Sequence, residues 1–336
     1  MAAANPQPHI SVAPMMKVTD RHCRYFLRML APDVRLYTEM LTAQAVLRGD
    51  RVRLLRFDAA EHPLAVQLAG RNPGELAEAA RVAEDMGYDE VNLNVGCPSG
   101  RVRDGGFGVC LMLEPEVVAR CVAAVRHRVQ VPVTVKIRTG IDEHDGFDFL
   151  ARFVDMVAAA GCDMFVVHAR KALSRGLSPR ENLKVPALRY DLVYRLKASY
   201  PHLQIVINGG VRTIKEIAAH LGHVDGVMLG RKAAEEPYFL TEIQRTFYSR
   251  PGRAGPPERG EVVAEMVDYA RREMAKGTRL GHITRPMLGL FHGVPGARDW
   301  RRYVSLYASR QVARPEVLLD SLACLRGGGR SQAEQA

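Results

Sequence analysis

No stretch of the 336-residue chain approaches the ~20 consecutive apolar residues that a bilayer-spanning helix needs, so no membrane association is expected. The first residues, MAAANPQPHI, lack a basic region followed by a long apolar core, and no secretory signal is expected either. The six cysteines (Cys23, Cys97, Cys110, Cys121, Cys162, Cys324) form no CxxC pair and have no histidine at zinc-ligand spacing. That argues against a structural metal and for free thiols in a reducing cytoplasm. No GxGxxG follows the first strand-like run, which disfavours a doubly wound dinucleotide fold. Internal repeats and low-complexity tracts are also missing.

What the chain does have is alternation. Short apolar runs at Ile10–Ala13, Arg35–Thr38, Ala65–Leu68, Glu90–Asn94, Val133–Ile137, Met164–Val167, Gln204–Ile207 and Gly226–Leu229 read as parallel strands buried on both faces. Between them lie amphipathic stretches such as Glu75–Met86, Glu116–Arg126, Phe147–Ala160 and Thr213–Leu221. Eight strands alternating with helices over about 240 residues is the count of a (β/α)8 TIM barrel. The expected fold class is therefore α/β, a TIM barrel followed by a small C-terminal helical bundle.

The second part follows a proline- and glycine-rich connector, Ser249–Pro257, which reads as a boundary. Beyond it the pattern is only helical, at Glu261–Lys276, Ile283–Phe291, Ala297–Ser309 and Pro315–Leu325. The expected division is 1–248 for the barrel, 258–326 for the bundle, and 327–336 as a disordered tail. Residues 250–330 hold 15 Lys and Arg against 8 Asp and Glu, a local excess within a chain of net charge +10. Such asymmetry suits a polyanionic partner. Arg298, Arg301 and Arg302 lie at i, i+3 and i+4, on one helix face, and Trp300 and Tyr303 are expected beside them.

The polar residues of the barrel region gather at the C-terminal ends of the strands, where this fold places active sites. They are Pro14-Met15-Met16, Glu39, Gln67, Asn94 with Cys97, Lys136 with Arg138, His168 with Arg170, Asn208-Gly209-Gly210, and Gly230-Arg231. The glycines at the ends of the seventh and eighth strands, with Arg231 beside them and a helix beginning near Thr213, form a ready phosphate cradle. Gly96 and Pro98 bracket Cys97, so its thiol leaves a strand in a turn. The Arg101–Gly108 stretch that follows reads as a glycine-rich loop able to close over a substrate.

The pattern Asn92-Leu93-Asn94-Val95-Gly96-Cys97-Pro98-Ser99 followed by Gly105-Gly106-Phe107-Gly108 resembles the tRNA-dihydrouridine synthases. The resemblance extends over essentially the whole chain, through SVAPM, TDRHCRYF, RLYTEM, QLAG, VKIRTG, VVHAR, INGG, GVMLGR and PGARDWRRY. The tract KALSRGLSPRENLKVPALRYD resembles the bacterial A-type members, which modify position 20 and its neighbour in the D-loop. The resemblance implies a flavin enzyme that reduces uridine to 5,6-dihydrouridine in tRNA. FMN would be its cofactor and NADPH its reductant, with NADH as the alternative. By motif, the FMN contacts fall on Pro14, Met15, Met16, Gln67, Lys136, His168, Asn208, Gly209, Gly210, Gly230 and Arg231. The general acid falls on Cys97, and Asn94 contacts the target uracil.

These residue types suit the chemistry. Gln67 carries both a donor and an acceptor for a flavin's pyrimidine edge, and Lys136 can neutralise negative charge there. A thiol with an ordinary pKa near 8.5 is mostly protonated at neutral pH and can supply a proton to uracil C5. Candidate tRNA contacts are Arg138, Arg170, Arg175, Arg180, Arg298, Arg301 and Arg302. A cytoplasmic monomer without metal is expected. Two other readings stand beside it: a flavin barrel acting on free pyrimidines or another small unsaturated carbonyl, and a non-catalytic RNA-binding protein.

Overall fold

The computed structural model describes residues 7–252 and 255–326. Eight strands, β1 (His9–Val12), β2 (Arg35–Thr42), β3 (Leu64–Ala69), β4 (Glu90–Asn94), β5 (Val133–Arg138), β6 (Met164–His168), β7 (Gln204–Asn208) and β8 (Gly226–Leu229), pair in sequence order into a closed barrel. Every pairing is parallel, and β8 closes on β1 with His9 opposite Gly226 and Val12 opposite Leu229. The expected strands are all present: β4 and β8 have the expected bounds, β1 is shifted by one residue, β3, β5, β6 and β7 are a residue or two longer, and β2 runs four residues further. That strand carries a register shift between Tyr37 and Met40, where Thr38 Oγ1 donates to Glu39 O at 2.7 Å and accepts from Gln67 N at 3.0 Å.

Side chains alternate across each strand. Ala13, Tyr37, Ala65, Met164, Val166, Val206 and Met228 fill the barrel interior, with Met15 packed against them. The opposite faces of the same strands, including Val91, Leu93, Val135, Ile137, Ile205 and Val227, are buried as well. The helices begin where the sequence supplies caps. Asn72 accepts from Glu75 N ahead of Pro73–Asp85, and Thr213 and Glu216 form a capping box ahead of Ile214–Leu221.

The chain divides into two compact units. Residues through Thr19 together with Val34–Gly230 make the barrel; Asp20–Asp33 together with the residues from Arg231 onward make the helical unit. The boundary therefore falls at Gly230/Arg231 rather than at the Ser249–Pro257 connector. The reason lies in the helix Arg21–Leu30, capped by Asp20, which belongs with the helical unit. There Tyr25 stacks on Tyr269 at 3.9 Å, His22 Nδ1 meets Tyr269 OH at 2.8 Å, and Asp33 N donates to Gln244 Oε1 at 3.1 Å. Helix Phe239–Phe247, which carries Gln244, is thus part of the same body. No strand occurs beyond Leu229 among the described residues. The expected disordered tail at 327–336 lies outside the described residues.

Candidate active site

The alternation that fills the barrel also decides what reaches its mouth. Glu90, Asn92 and Asn94 occupy one face of β4, and Thr134, Lys136 and Arg138 one face of β5. Gln67 stands opposite Asn92 in register, and Asn92 opposite Thr134. Gln67 is 1% exposed and Asn92 fully buried, so their amides must find partners inside the barrel. They find each other. Asn92 Nδ2 donates to Thr134 Oγ1 at 2.8 Å, Gln67 Nε2 donates to Asn92 Oδ1 at 2.8 Å, and Asn94 Nδ2 donates to Gln67 Oε1 at 2.8 Å. Asn94 Oδ1 then accepts from Cys97 N at 3.0 Å and Gly96 N at 3.3 Å.

That bond fixes the turn bearing Cys97. The thiol is half-buried and lies 3.5 Å from Ser99 Oγ, to which it donates. Cys97 O accepts from Val109 N at 3.1 Å, and Gly108 takes φ = 69° beside it. A Cβ at Gly108 would come within 2.7 Å of that carbonyl and 2.3 Å of Val102, so only glycine fits. The stretch expected to be a mobile glycine-rich loop is instead a short helix, Gly100–Asp104, followed by a 3-10 helix, Gly108–Leu113. Buried Val102 and the Val109 bond hold it against Cys97. It acts as a bracket for the thiol.

Lys136 Nζ donates to Asn208 Oδ1 at 3.2 Å, and Asn208 Nδ2 donates to Met228 O at 2.8 Å. Burial, and then the neighbouring Arg138 charge, bring the Lys136 pKa down to about 7, with Cys97 opposing the shift. An ammonium so placed gains from any anion brought to it. Next in sequence to Asn208, Gly209 and Gly210 take φ = 116° and 78°. The buried His168 ring lies against Gly209, where a Cβ would come within 2.7 Å of Cδ2. Tyr190 OH donates to Gly209 O at 2.8 Å. The capping box uses the N–H groups of Arg212, Thr213 and Glu216. Gly230 differs from both: its φ is unremarkable, and a Cβ there would meet nothing within 4 Å. The protein does not itself require glycine at that position, whereas a closely approaching ligand would. Arg231 opens the helix Arg231–Glu235, which belongs to the helical unit.

At the end of β1, Met15 O accepts from Val18 N at 3.1 Å and Thr19 N at 3.0 Å, closing a tight turn. Lys17 sits in the left-handed region, and its N–H donates to Glu39 Oε1. Pro14 and Met15 are half-buried, while Met16 is exposed.

The arginines divide by surroundings. Arg138 is buried; its Nε donates to Gly96 O at 2.9 Å, and its Nη1 donates to Lys171 O and Asn182 O, both at 3.1 Å. It ties the Cys97 turn to the loop after β6. Arg170 donates to Lys184 O at 3.3 Å and to Pro186 O, in the same loop. Fully buried Asn182 organises the loop centre, donating to Leu173 O at 3.0 Å and accepting from Leu173 N at 2.8 Å. Arg175 and Arg180 project from this braced loop and are exposed.

In the helical unit, Arg298, Arg301 and Arg302 are exposed on the helix Ala297–Ala308. Trp300 is not beside them: it is fully buried, tilted against Phe291 at 4.8 Å. At 100° per residue it points ~150° away from the arginine face. Tyr303 packs on Tyr307 at 4.3 Å.

The other cysteines lack the setting of Cys97. Burial pushes Cys121 up to about 11 and Cys162 up to about 12, and Cys23 is buried in the helical unit. Among the described residues, no group of three or more His, Cys, Asp or Glu could hold a metal ion. No helix among them is long and apolar enough to cross a membrane. Sequence reading passed over Glu90, Asn92, Thr134, Ser99, Asn182 and Tyr190. For Glu90 and Asn92 a signal existed, because polar residues at i, i+2 and i+4 of a strand otherwise buried on both faces must share one inward face.

Chemistry-bearing side chains gathered at the C-terminal mouth of a closed parallel barrel define a (β/α)8-barrel enzyme. Its kind follows from its relatives: residues 11–324 match the family described as Dihydrouridine synthase (Dus), and the chain belongs to that family. It is 51% identical over 315 residues to a tRNA-dihydrouridine(20/20a) synthase of Vibrio parahaemolyticus, covering 94% of this chain and 96% of that one. The protein of the same name from Synechocystis is 51% identical, covering 93% of each chain, and that of Escherichia coli K12 is 50% identical, covering 93% and 90%. Among solved structures, a 2-naphthoyl-CoA reductase in complex with 2-naphthoyl-CoA superposes with a TM-score of 0.54 at 13% identity, covering 70% of this chain and 49% of that one. At that identity the likeness concerns the fold alone.

Proposed function

We propose that this chain reduces uridine to 5,6-dihydrouridine at positions 20 and 20a of the tRNA D-loop, with FMN as cofactor and NADPH as reductant. The observation that carries the reading is the unbroken set of hydrogen bonds joining Gln67, Asn94 and the backbone of Cys97 at one barrel mouth. Membership of the family and the name shared by its relatives support the substrate.

The residues fit FMN. Gly209, Gly210 and Gly230 would hold its phosphate; Lys136, Gln67, Asn208 and His168 would hold the ring, with Pro14, Met15 and Met16 along one edge. When bound, FMN supplies the hydride that uracil C6 accepts. Asn94 orients the base through the second N–H of its amide, the first being committed to Gln67. The Cys97 thiol delivers the proton to C5, and Ser99 Oγ, its hydrogen-bond partner, keeps the sulfur directed. Arg138 acts indirectly, fixing the Gly96 carbonyl and hence the turn that carries the acid. Arg175 and Arg180 on the braced loop, and Arg298, Arg301 and Arg302 on their helix, meet tRNA phosphates. The base itself must leave the tRNA stack to be reached. The reading extends to a monomer working in the cytoplasm.

Cys97→Ala tests the assignment. The variant should bind FMN with unchanged affinity, since the thiol takes no part in holding it. Single-turnover dihydrouridine formation should slow by a factor on the order of 10²–10⁴, the usual worth of a positioned acid. A variant that forms product at the normal rate removes the thiol from the mechanism.

A further inference from the structure

The amide chain at the mouth continues downward. Thr134 Oγ1, which accepts from Asn92, itself donates to Glu90 Oε1 at 2.6 Å. Tyr37 OH donates to the same oxygen at 2.8 Å, and Arg35 Nη1 faces Glu90 Oε2 at 3.3 Å as an ion pair. Glu90 is 2% exposed, at the inward face of β4 and four residues before Asn94. Four side chains, Thr134, Asn92, Gln67 and Asn94, thus connect a buried carboxylate to the backbone N–H of Cys97.

We propose that Glu90, acting through Thr134, is a positioning residue that sets the direction in which the Asn92, Gln67 and Asn94 amides face. A side-chain amide has nearly the same shape either way round, so packing does not choose between its O and its NH₂. A chain of amides needs an end that cannot reverse. Burial raises the Glu90 pKa, and the Arg35 guanidinium on Oε2 with the Thr134 and Tyr37 hydrogen bonds on Oε1 counter it, so both oxygens are met by donors. As a carboxylate Glu90 only accepts, so Thr134 must give it its single hydroxyl proton, and only lone pairs are then left for Asn92. Asn92 therefore presents Nδ2 to Thr134 and Oδ1 to Gln67. Gln67 in turn presents Nε2 to Asn92 and Oε1 to Asn94, which leaves Asn94 Oδ1 facing the N–H groups of Gly96 and Cys97. Reversing the chain would aim the Asn94 NH₂ at those two donors. Amides do not hand protons along, so what the chain transmits is orientation alone. Tyr37 reinforces the polarity: burial, and then the Glu90 charge, push its pKa well above 10, and it remains a donor. The consequence for the cofactor and the base rests on the functional reading above: what these two amides still have to offer is the second N–H of each and the second lone pair of Gln67 Oε1, Asn94 Oδ1 being already taken twice.

Thr134 is the link to cut. Valine matches threonine in shape and lacks the hydroxyl; serine keeps the hydroxyl and lacks the methyl. If Thr134 serves packing alone, Thr134→Val is benign and Thr134→Ser the more harmful change. The orientation chain predicts the reverse order. FMN affinity of the ligand-free protein, read from quenching of flavin fluorescence, should weaken about tenfold in Thr134→Val, the scale of one lost hydrogen bond, and stay within about twofold in Thr134→Ser. Dihydrouridine formation should follow the same order. The side-chain NH₂ resonances of Asn92 and Asn94 in ¹⁵N-asparagine-labelled ligand-free protein should move in the valine variant and hold in the serine variant. If Thr134→Val does not fold, Glu90→Gln takes its place. It keeps the shape but can donate to Thr134, so it admits the reversed chain and should show the same loss of FMN affinity. Valine behaving like wild type, or serine as damaging as valine, overturns the proposal. Wild-type protein that binds no FMN would instead overturn the functional reading, while the asparagine resonances would still decide the orientation chain.

Discussion

At the scale of single residues, Lys136 is a group whose charge depends on what is brought to it. Burial, with Arg138 adding to it and Cys97 opposing, lowers its pKa from 10.5 to about 7. Between those values the unfolded chain holds a proton that the native protein lacks. The ligand-free protein therefore gains stability as pH rises from about 7 toward 10, and it carries the full cost of the buried ammonium below about 7. Acceptor atoms of the ring brought to Nζ favour the ammonium and raise the pKa again, so binding above pH 7 must take up a proton. FMN affinity should accordingly weaken by up to about tenfold per pH unit above 7. Lys136→Met should bind FMN more weakly at pH 7 and show a flat profile. Fluorescence titrations between pH 7 and 9 check both; an equal slope in wild type and variant would detach Lys136 from the cofactor. The position of this lysine on an inward face was legible from strand alternation. Its depressed pKa was not, because that depends on how closely the β4 and β6 mouths pack around it. Arg138 illustrates the same limit. Its place at a strand end suggested a tRNA contact, and its guanidinium meets Gly96, Lys171 and Asn182 carbonyls up to 44 residues away in sequence.

At the scale of elements, strands were the easiest to read. A parallel strand covered on both faces shows up as an apolar run whatever its neighbours are. The helices Arg21–Leu30 and Tyr190–Ser199 were harder. The first begins behind a clear Asp20 cap, but its burial comes from Tyr269 and other partners some 240 residues away. That is also why the unit boundary could not be placed from the connector alone. The helix Ala297–Ala308 was read correctly in extent and partly in facing. Its arginines share an exposed side, while Trp300 belongs to the packed side and is unavailable to stack on RNA. This face should therefore act through charge. Replacing Arg298, Arg301 and Arg302 together with alanine should reduce the slope of log affinity for tRNA against log salt by about two to three. The fold should survive, because none of the three is buried. Binding measurements from 50 to 300 mM salt would show it, and an unchanged slope would make the face ordinary solvated surface.

At the scale of the whole molecule, the two units differ in what they offer. The barrel holds the thiol, the ordered amides, the lysine and the glycine turn; the helical unit holds an exposed cationic face. A reductase of free pyrimidines would need only the first. The central claim, that uridine within tRNA is the substrate, is tested most directly by incubating the purified full chain with FMN, NADPH and unmodified tRNA transcripts and mapping dihydrouridine by position. The account predicts product at positions 20 and 20a, absent when NADPH is withheld, lost in transcripts carrying cytidine at those sites, and not formed from free uridine. Reduction of free uridine with tRNA left unmodified would contradict it.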